Sequence, residues 1–260
     1  MTKHGLAYVQ CPKCTLVWSN PRLPENEYSA RLEALGCSEA DSDRLWQGRV
    51  EQGMERAAAV IQRLGISARI LDVGCGDGAF LAAATRAGLE AVGLERSSTV
   101  AETACYRGLT VIKGDVLTLT PPSTPFDGVT LWDVIEHLCY PRKTLRRLLN
   151  WLRPGGLLFI QTPNCKGVSA RLRGDKWWVY GPTDHLFMFS QVTLQALLER
   201  VGMKTEVLYT QDLCPWNPPE LQSHAFPVRL HRQIQQSPWA MRLLTRLDLG
   251  DWLYGIFRKI

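Results

Sequence analysis

The sequence predicts an α/β fold built on a doubly wound, mostly parallel sheet with an extension at each end, and three observations carry that expectation. Strand-like and helix-like segments alternate from about residue 68 to residue 212. Alternation of that kind means parallel strands joined by crossover helices. A strand, a tight glycine turn and a helix start follow one another in Ile70-Leu71-Asp72-Val73-Gly74-Cys75-Gly76-Asp77-Gly78-Ala79. The composition, 45% hydrophobic and 21% charged over 260 residues, suits one large globular domain with decorated ends and argues against disorder.

The elements follow in order. Residues 1–40 read as an irregular N-terminal extension that holds the pair Cys11 and Cys14, an apolar patch at Val17 and Trp18, and a turn over 20–24. A helix is expected over 41–64, capped by Asp41 or Ser42 and ended by Gly65, because Leu45, Trp46, Val50, Met54, Ala57, Val60 and Ile61 recur at helical spacing. That helix opens the core domain, 41–212. Within it, strands are expected at 69–73, 89–94, 109–113, 126–132, 157–161 and 204–209. Helices are expected over 79–86, 99–107, 142–152 and 191–201, with an aromatic loop before the last of them. Residues 213–260 read as a C-terminal extension. It begins as a proline-rich loop and continues from Ser237 as a partly amphipathic helix, with Ala240, Leu243, Leu244 and Leu247 on one face. Trp252, Leu253, Ile256 and Phe257 prolong the apolar series beyond Gly250.

Charge and cysteine usage exclude several classes. The net charge of +5 is concentrated at the end of the chain, where six Lys or Arg face two Asp from Arg229 onward. No basic stripe with interleaved aromatics runs through the rest, so no nucleic-acid partner is expected. Four of the eight cysteines (Cys75, Cys105, Cys139 and Cys165) lie in apolar or glycine-rich segments, as reduced thiols do. Nothing approaches the roughly 18–20 uninterrupted apolar residues of a membrane span. The first residues also lack the apolar run and cleavage site of a signal peptide. The expected location is the cytoplasm, with peripheral membrane contact through the C-terminal segment as an option.

The glycine turn is built for a ligand that touches backbone, and the following helix points free N–H groups at it. By spacing, Gly74-x-Gly76-x-x-Ala79 fits a dinucleotide fingerprint as well. The carboxylates decide between ligands. Asp72 and Asp77 would repel a pyrophosphate but not a zwitterionic amino acid bearing a sulfonium, and no Lys or Arg lies between Leu71 and Thr85. Glu95, 19 residues after Gly76, can accept from two ribose hydroxyls. Asp115 can accept from an adenine amino group while the N–H of Val116 meets the ring. Any one of these acids could be a plain exposed strand end, but three at consecutive strand ends point to a ligand.

The runs LDVGCGDG, VGLERS, GDV, FDGVTLWDVIEHL and LRPGGLLFIQTPN resemble, in order and spacing, the successive motifs of class I S-adenosylmethionine-dependent methyltransferases. They are most similar to the small-molecule branch that includes bacterial ubiquinone-biosynthesis O-methyltransferases. The resemblance covers about residues 68–209 and implies a Rossmann-like fold with S-adenosylmethionine as cofactor. It implies that Asp72, Gly74, Gly76 and Gly78 hold the methionine moiety, and that Glu95 and Asp115 hold ribose and adenine; Asp133 is counted with them. A nicotinamide-dependent oxidoreductase and a non-catalytic cofactor-binding module remain as alternatives.

For the chemistry, Asp133, Glu136 and His137 follow the fourth strand at i, i+3 and i+4, so one helical turn would present all three on one side. His137 is the candidate general base with Glu136 beside it, the alternative being that the two are a purely structural hydrogen-bonded pair. In the family the matching cluster is associated with a divalent metal, but the first acid here is Asp, one methylene shorter, and no metal is assigned. His185 is a second catalytic candidate, in a loop whose Trp177, Trp178, Tyr180 and Phe187 would form an apolar acceptor pocket; the alternative is that Asp184 and His185 are a capping pair packed ahead of the helix that Ser190 caps. Cys11 and Cys14 have zinc-ligand spacing, which His4 and Cys37 could complete. The partner expected is a small-molecule or lipid-like acceptor, with O-methylation as the reaction. The apolar face of the C-terminal segment would pack on the core, join a homodimer or lie on a membrane.

Overall fold

The alternation is realised as a seven-stranded sheet with helices on both faces. The structure, a computed structural model, describes residues 2–3, 6–38, 43–180, 185–211 and 237–260. The strands are β1 (Thr2–Lys3), β2 (Leu6–Gln10), β3 (Val17–Asn20), β4 (Arg69–Val73), β5 (Glu90–Glu95), β6 (Val111–Lys113), β7 (Phe126–Trp132), β8 (Leu152–Pro163), β9 (Phe187–Met188), β10 (Met203–Gln211) and β11 (Trp252–Lys259). The helices are α1 (Glu25–Ser38), α2 (Asp43–Leu64), α3 (Ala79–Arg86), α4 (Ser98–Tyr106), α5 (Pro141–Leu149), α6 (Val168–Arg173), α7 (Gln191–Glu199) and α8 (Pro238–Arg246).

The main sheet has the order β10-β11-β8-β7-β4-β5-β6. Neighbours from β8 through β6 are parallel, and β11 runs antiparallel to both β8 and β10. Because side chains alternate along a strand, each strand feeds two cores. Leu71, Val129, Leu158 and Ile160 pack with Leu145, Leu148, Leu194 and Leu198 of α5 and α7. Ile70, Leu157 and Phe159 pack with Ala57, Val60, Phe80 and Ala84 of α2 and α3. The carboxyl ends of β4, β5, β6 and β7 therefore open on one edge, the usual ligand edge of such sheets.

Three expectations are corrected. Residues 1–40 are not irregular throughout: β1, β2, β3 and β9 form a second, antiparallel sheet, and α1 follows it. Among the described residues of the aromatic loop, Trp177 and Tyr180 are packed inward rather than standing open as the wall of an acceptor pocket. Trp177, Val179 and Tyr180 are buried against Tyr8, Ala170 and Met188 as the core of that small sheet, because its inner face needs cover. Residues 252–259 do not continue the amphipathic helix. They alternate buried and half-buried with the period of a strand, and Leu253 and Phe257 are fully buried in the main core. Gly255 is required there, since a Cβ would lie 2.4 Å from the Phe257 ring.

Candidate active site

Backbone conformation builds the centre of the site. Gly74 and Gly76 sit at φ +66° and +57°, where L side chains are strained. A Cβ on Gly74 would meet Val134 at 2.8 Å, whereas one on Gly76 would meet nothing within 4 Å. The Gly76 backbone thus faces open space. Gly78, at φ +85°, is different: a Cβ there would lie 2.3 Å from Leu109, so this glycine serves the packing of α3 on α4.

That space is a cleft of about 490 Å³, within the range of small-molecule sites. Gly74, Gly76, Glu95, Asp115, Val116, Asp133 and His137 all line it, from four successive strand ends. Glu95 accepts from the N–H groups of Gly76 (3.1 Å) and Ser97 (2.8 Å), and Asp115 accepts from Leu117 N–H at 2.8 Å. Glu25, Tyr28, Ser29 and Glu33 of α1 close the other side. No sequence pattern announces this roof, because Tyr28 is the one fully buried side chain described on that helix and no apolar stripe marks it.

Asp72 stands behind the turn rather than in the cleft wall. It is 3% exposed, and the Thr130 hydroxyl donates to it at 2.7 Å. Burial pushes its carboxyl up to about 7, against the pull of Thr130 and Arg56 and with a push from Glu95. Asp77 is likewise turned away and neutralised by Arg49 and Arg107, the latter at 3.1 Å. The loop's cations come from distant elements, which local sequence inspection could not find.

The catalytic candidates are arranged differently from the expected helical turn. Asp133 takes φ +58° and its carboxylate accepts from Gln161 (3.1 Å) and Arg56 (3.3 Å). Residues Ile135–His137 then form a single 3₁₀ turn. The left-handed residue breaks the helical register, so Asp133 lines the cleft with His137 but does not join the cluster that Glu136 and His137 form. In its place the structure brings in His185. Ligating atoms of Glu136, His137 and His185 all lie within 4.8 Å of one another, and the two imidazole centroids are 4.7 Å apart.

Each member of this cluster is held. Glu136 is 2% exposed and accepts from the Thr162 hydroxyl at 2.8 Å. His185 Nδ1 lies 2.8 Å from the Val179 carbonyl. Tyr28 donates to the His137 carbonyl at 2.6 Å. Cys11 and Cys14 lie elsewhere, in the hairpin turn between β2 and β3. Of the zinc partners considered for them, His4 and the side chain of Cys37 lie outside the described residues, as does Asp184.

A doubly wound sheet closed by one antiparallel strand, with carboxylates at successive strand ends around a glycine turn, defines a class I methyltransferase. The chain belongs to the methyltransferase-domain family, whose model matches residues 45–207, and it is an S-adenosylmethionine-dependent enzyme. It is 34% identical over 104 residues to the ubiquinone biosynthesis O-methyltransferase of Methylococcus capsulatus, a match covering 37% of this chain and 44% of that protein. In fold it is similar to an S-adenosylmethionine-dependent methyltransferase from Archaeoglobus fulgidus (TM-score 0.58, 21% identity, 81% of this chain and 94% of that one). It is also similar to the Haloferax volcanii complex of the Trm112 methyltransferase activator and a methyltransferase (TM-score 0.60, 16% identity, 87% and 96%). The donor set fits the cofactor. An open glycine backbone suits its zwitterionic end, and two carboxylates suit hydroxyl and amino donors.

Proposed function

We propose that this enzyme methylates a hydroxyl oxygen of a small or lipid-like acceptor, with His137 taking the hydroxyl proton. The observation that supports the reading is that His137 alone belongs both to the cleft wall and to the Glu136–His137–His185 cluster. The partial match to ubiquinone-pathway O-methyltransferases favours oxygen as the acceptor atom. In this reading Glu95 accepts from ribose hydroxyls, and Asp115 with Val116 N–H receives the adenine. Gly74 and Gly76 leave room for the methionine moiety, with the Asp72 charge behind them.

Bound S-adenosylmethionine supplies a sulfonium-activated methyl carbon. With the methyl group transferred to the acceptor oxygen, His137 would take the hydroxyl proton on a ring nitrogen. The buried Glu136 carboxylate and the His185 ring stand beside that imidazole and bias its orientation and charge. The test is turnover of phenols, sugar nucleotides and isoprenoid quinol precursors with a labelled methyl donor. Replacing His137 with Ala should lower the rate by roughly 10²–10⁴-fold, the usual worth of a general base, with S-adenosylhomocysteine affinity unchanged. A variant of full activity would overturn the assignment.

The same cluster favours a second reading, in which Glu136, His137 and His185 hold a divalent cation that orients the acceptor. Thr162 and the Val179 carbonyl already anchor two of the three side chains, as outer partners of metal ligands do. Loss of activity on chelation and its return with magnesium or zinc would select this reading.

A further inference from the structure

Helix α8 carries a surface that the proposed chemistry does not use. Trp239, Arg242, Leu243, Arg246 and Leu247 recur at helical spacing, and all are exposed, Trp239 by 73%. The inward side is made by Ala240, Met241, Leu244 and Thr245, which are half-buried. The helix therefore has an inner apolar side and presents a second one outward, which a helix seated on a core does not need. The outward face mixes an indole and two leucines with two guanidinium groups, and α8 contains no carboxylate.

The position of α8 matters as much as its composition. The chain leaving it is tied to the start of α6, where Val168 N–H donates to the Leu249 carbonyl at 2.9 Å and Ser169 N–H to Asp251 at 2.8 Å. Trp252 then pairs with Pro163 at the carboxyl end of β8. The stripe thus lies at the sheet edge that bears the cleft. Arg171 and Leu172 of α6 are exposed there too.

We propose that α8 docks the enzyme on an anionic membrane surface. Trp239, Leu243 and Leu247 enter the boundary between headgroups and acyl chains, and Arg242 and Arg246 meet lipid phosphates. Charge complementarity selects this occupant: guanidinium groups flanking an interfacial tryptophan, with no acid on the helix, match a negative headgroup layer. The inference holds whichever acceptor is methylated.

The test is co-sedimentation of the full chain with vesicles containing phosphatidylglycerol or made of phosphatidylcholine alone. Binding is expected for the anionic vesicles only, and it should weaken as salt is added. Arg242→Ala with Arg246→Ala should cut partitioning by about 30-fold, and Trp239→Ser with Leu243→Ser by at least about tenfold. Both double variants should keep the melting temperature, the S-adenosylhomocysteine affinity and the turnover of a water-soluble acceptor. Retention of those three separates a docking defect from damage to the active site. Failure of the unsubstituted protein to sediment at low salt, or equal binding by both variants, overturns the proposal. So does a dimer that Trp239→Ser with Leu243→Ser dissociates while vesicles are ignored, since the stripe would then join two copies.

Discussion

Replacing Asp72 with Asn tests the electrostatics behind the glycine turn. The carboxyl is 3% exposed, and its titration rises from an ordinary 3.8 to about 7, chiefly through burial. A carboxyl raised in the folded state favours its protonated form there. Its contribution to stability is therefore complete below the unfolded value and lost as pH climbs towards 7. At about 1.4 kcal/mol per pH unit, the loss between pH 4 and pH 8 is about 4 kcal/mol. Asn does not titrate and can still accept from the Thr130 hydroxyl, but its buried amide N–H groups cost roughly 1–3 kcal/mol if unpaired. The variant should be the less stable protein at pH 4 and the more stable one at pH 8. The assay is urea unfolding of the cofactor-free protein at pH 4, 6 and 8. A stability difference that does not change with pH would refute the reasoning. On the proposed reading the same variant should bind S-adenosylhomocysteine at least about tenfold more weakly, because the charge assigned to the ligand's ammonium is gone. One substitution would thus raise stability and lower affinity, a trade common at binding sites.

Two further substitutions probe the cleft and one the sheet. Glu95→Ala should weaken S-adenosylhomocysteine binding by roughly 1–3 kcal/mol in calorimetry; an unchanged affinity would remove the ribose assignment. Gly76→Val should abolish most binding while costing only about 1–2 kcal/mol of stability, because its side chain enters open cleft but must take a left-handed conformation; full binding would mean that the ligand lies elsewhere. Phe257→Ala should cost about 3–5 kcal/mol in denaturant unfolding, since the ring is fully buried in the main core; a loss below about 1 kcal/mol would show that β11 is dispensable.

The parallel core was readable because its strands are buried on both faces and its turns carry glycine, so residues 69–73 and 126–132 announce themselves as β4 and β7. The strand-end acids were readable for the same reason. Several features were not. β11 is ambiguous in sequence because Leu253, Ile256 and Phe257 also suit a helical spacing; its period-2 burial is decided by pairing with β8 and β10. The partners of Asp77 and Asp133 were hidden because Arg49, Arg56 and Arg107 approach from other elements. The meeting of His185 with Glu136 and His137 depends on β9 joining β3, a contact between segments some 170 residues apart (Val17 with Met188) that no local pattern encodes.

The central place of β11 also bears on how the protein is made. It fills the gap between β8 and β10, yet among the described strands it is the last to be synthesised. Until residues 252–259 emerge, β8 presents an unpaired edge alongside the apolar Leu158 and Ile160, and β10 has no neighbour to join. A growing chain therefore passes through a stage with an open, sticky strand edge of the kind that invites pairing with other chains. Residues 252–259 then insert between two waiting strands rather than adding at the rim. Lys259 then locks the arrival, donating to the carbonyls of Leu149 and Leu152 where α5 hands over to β8.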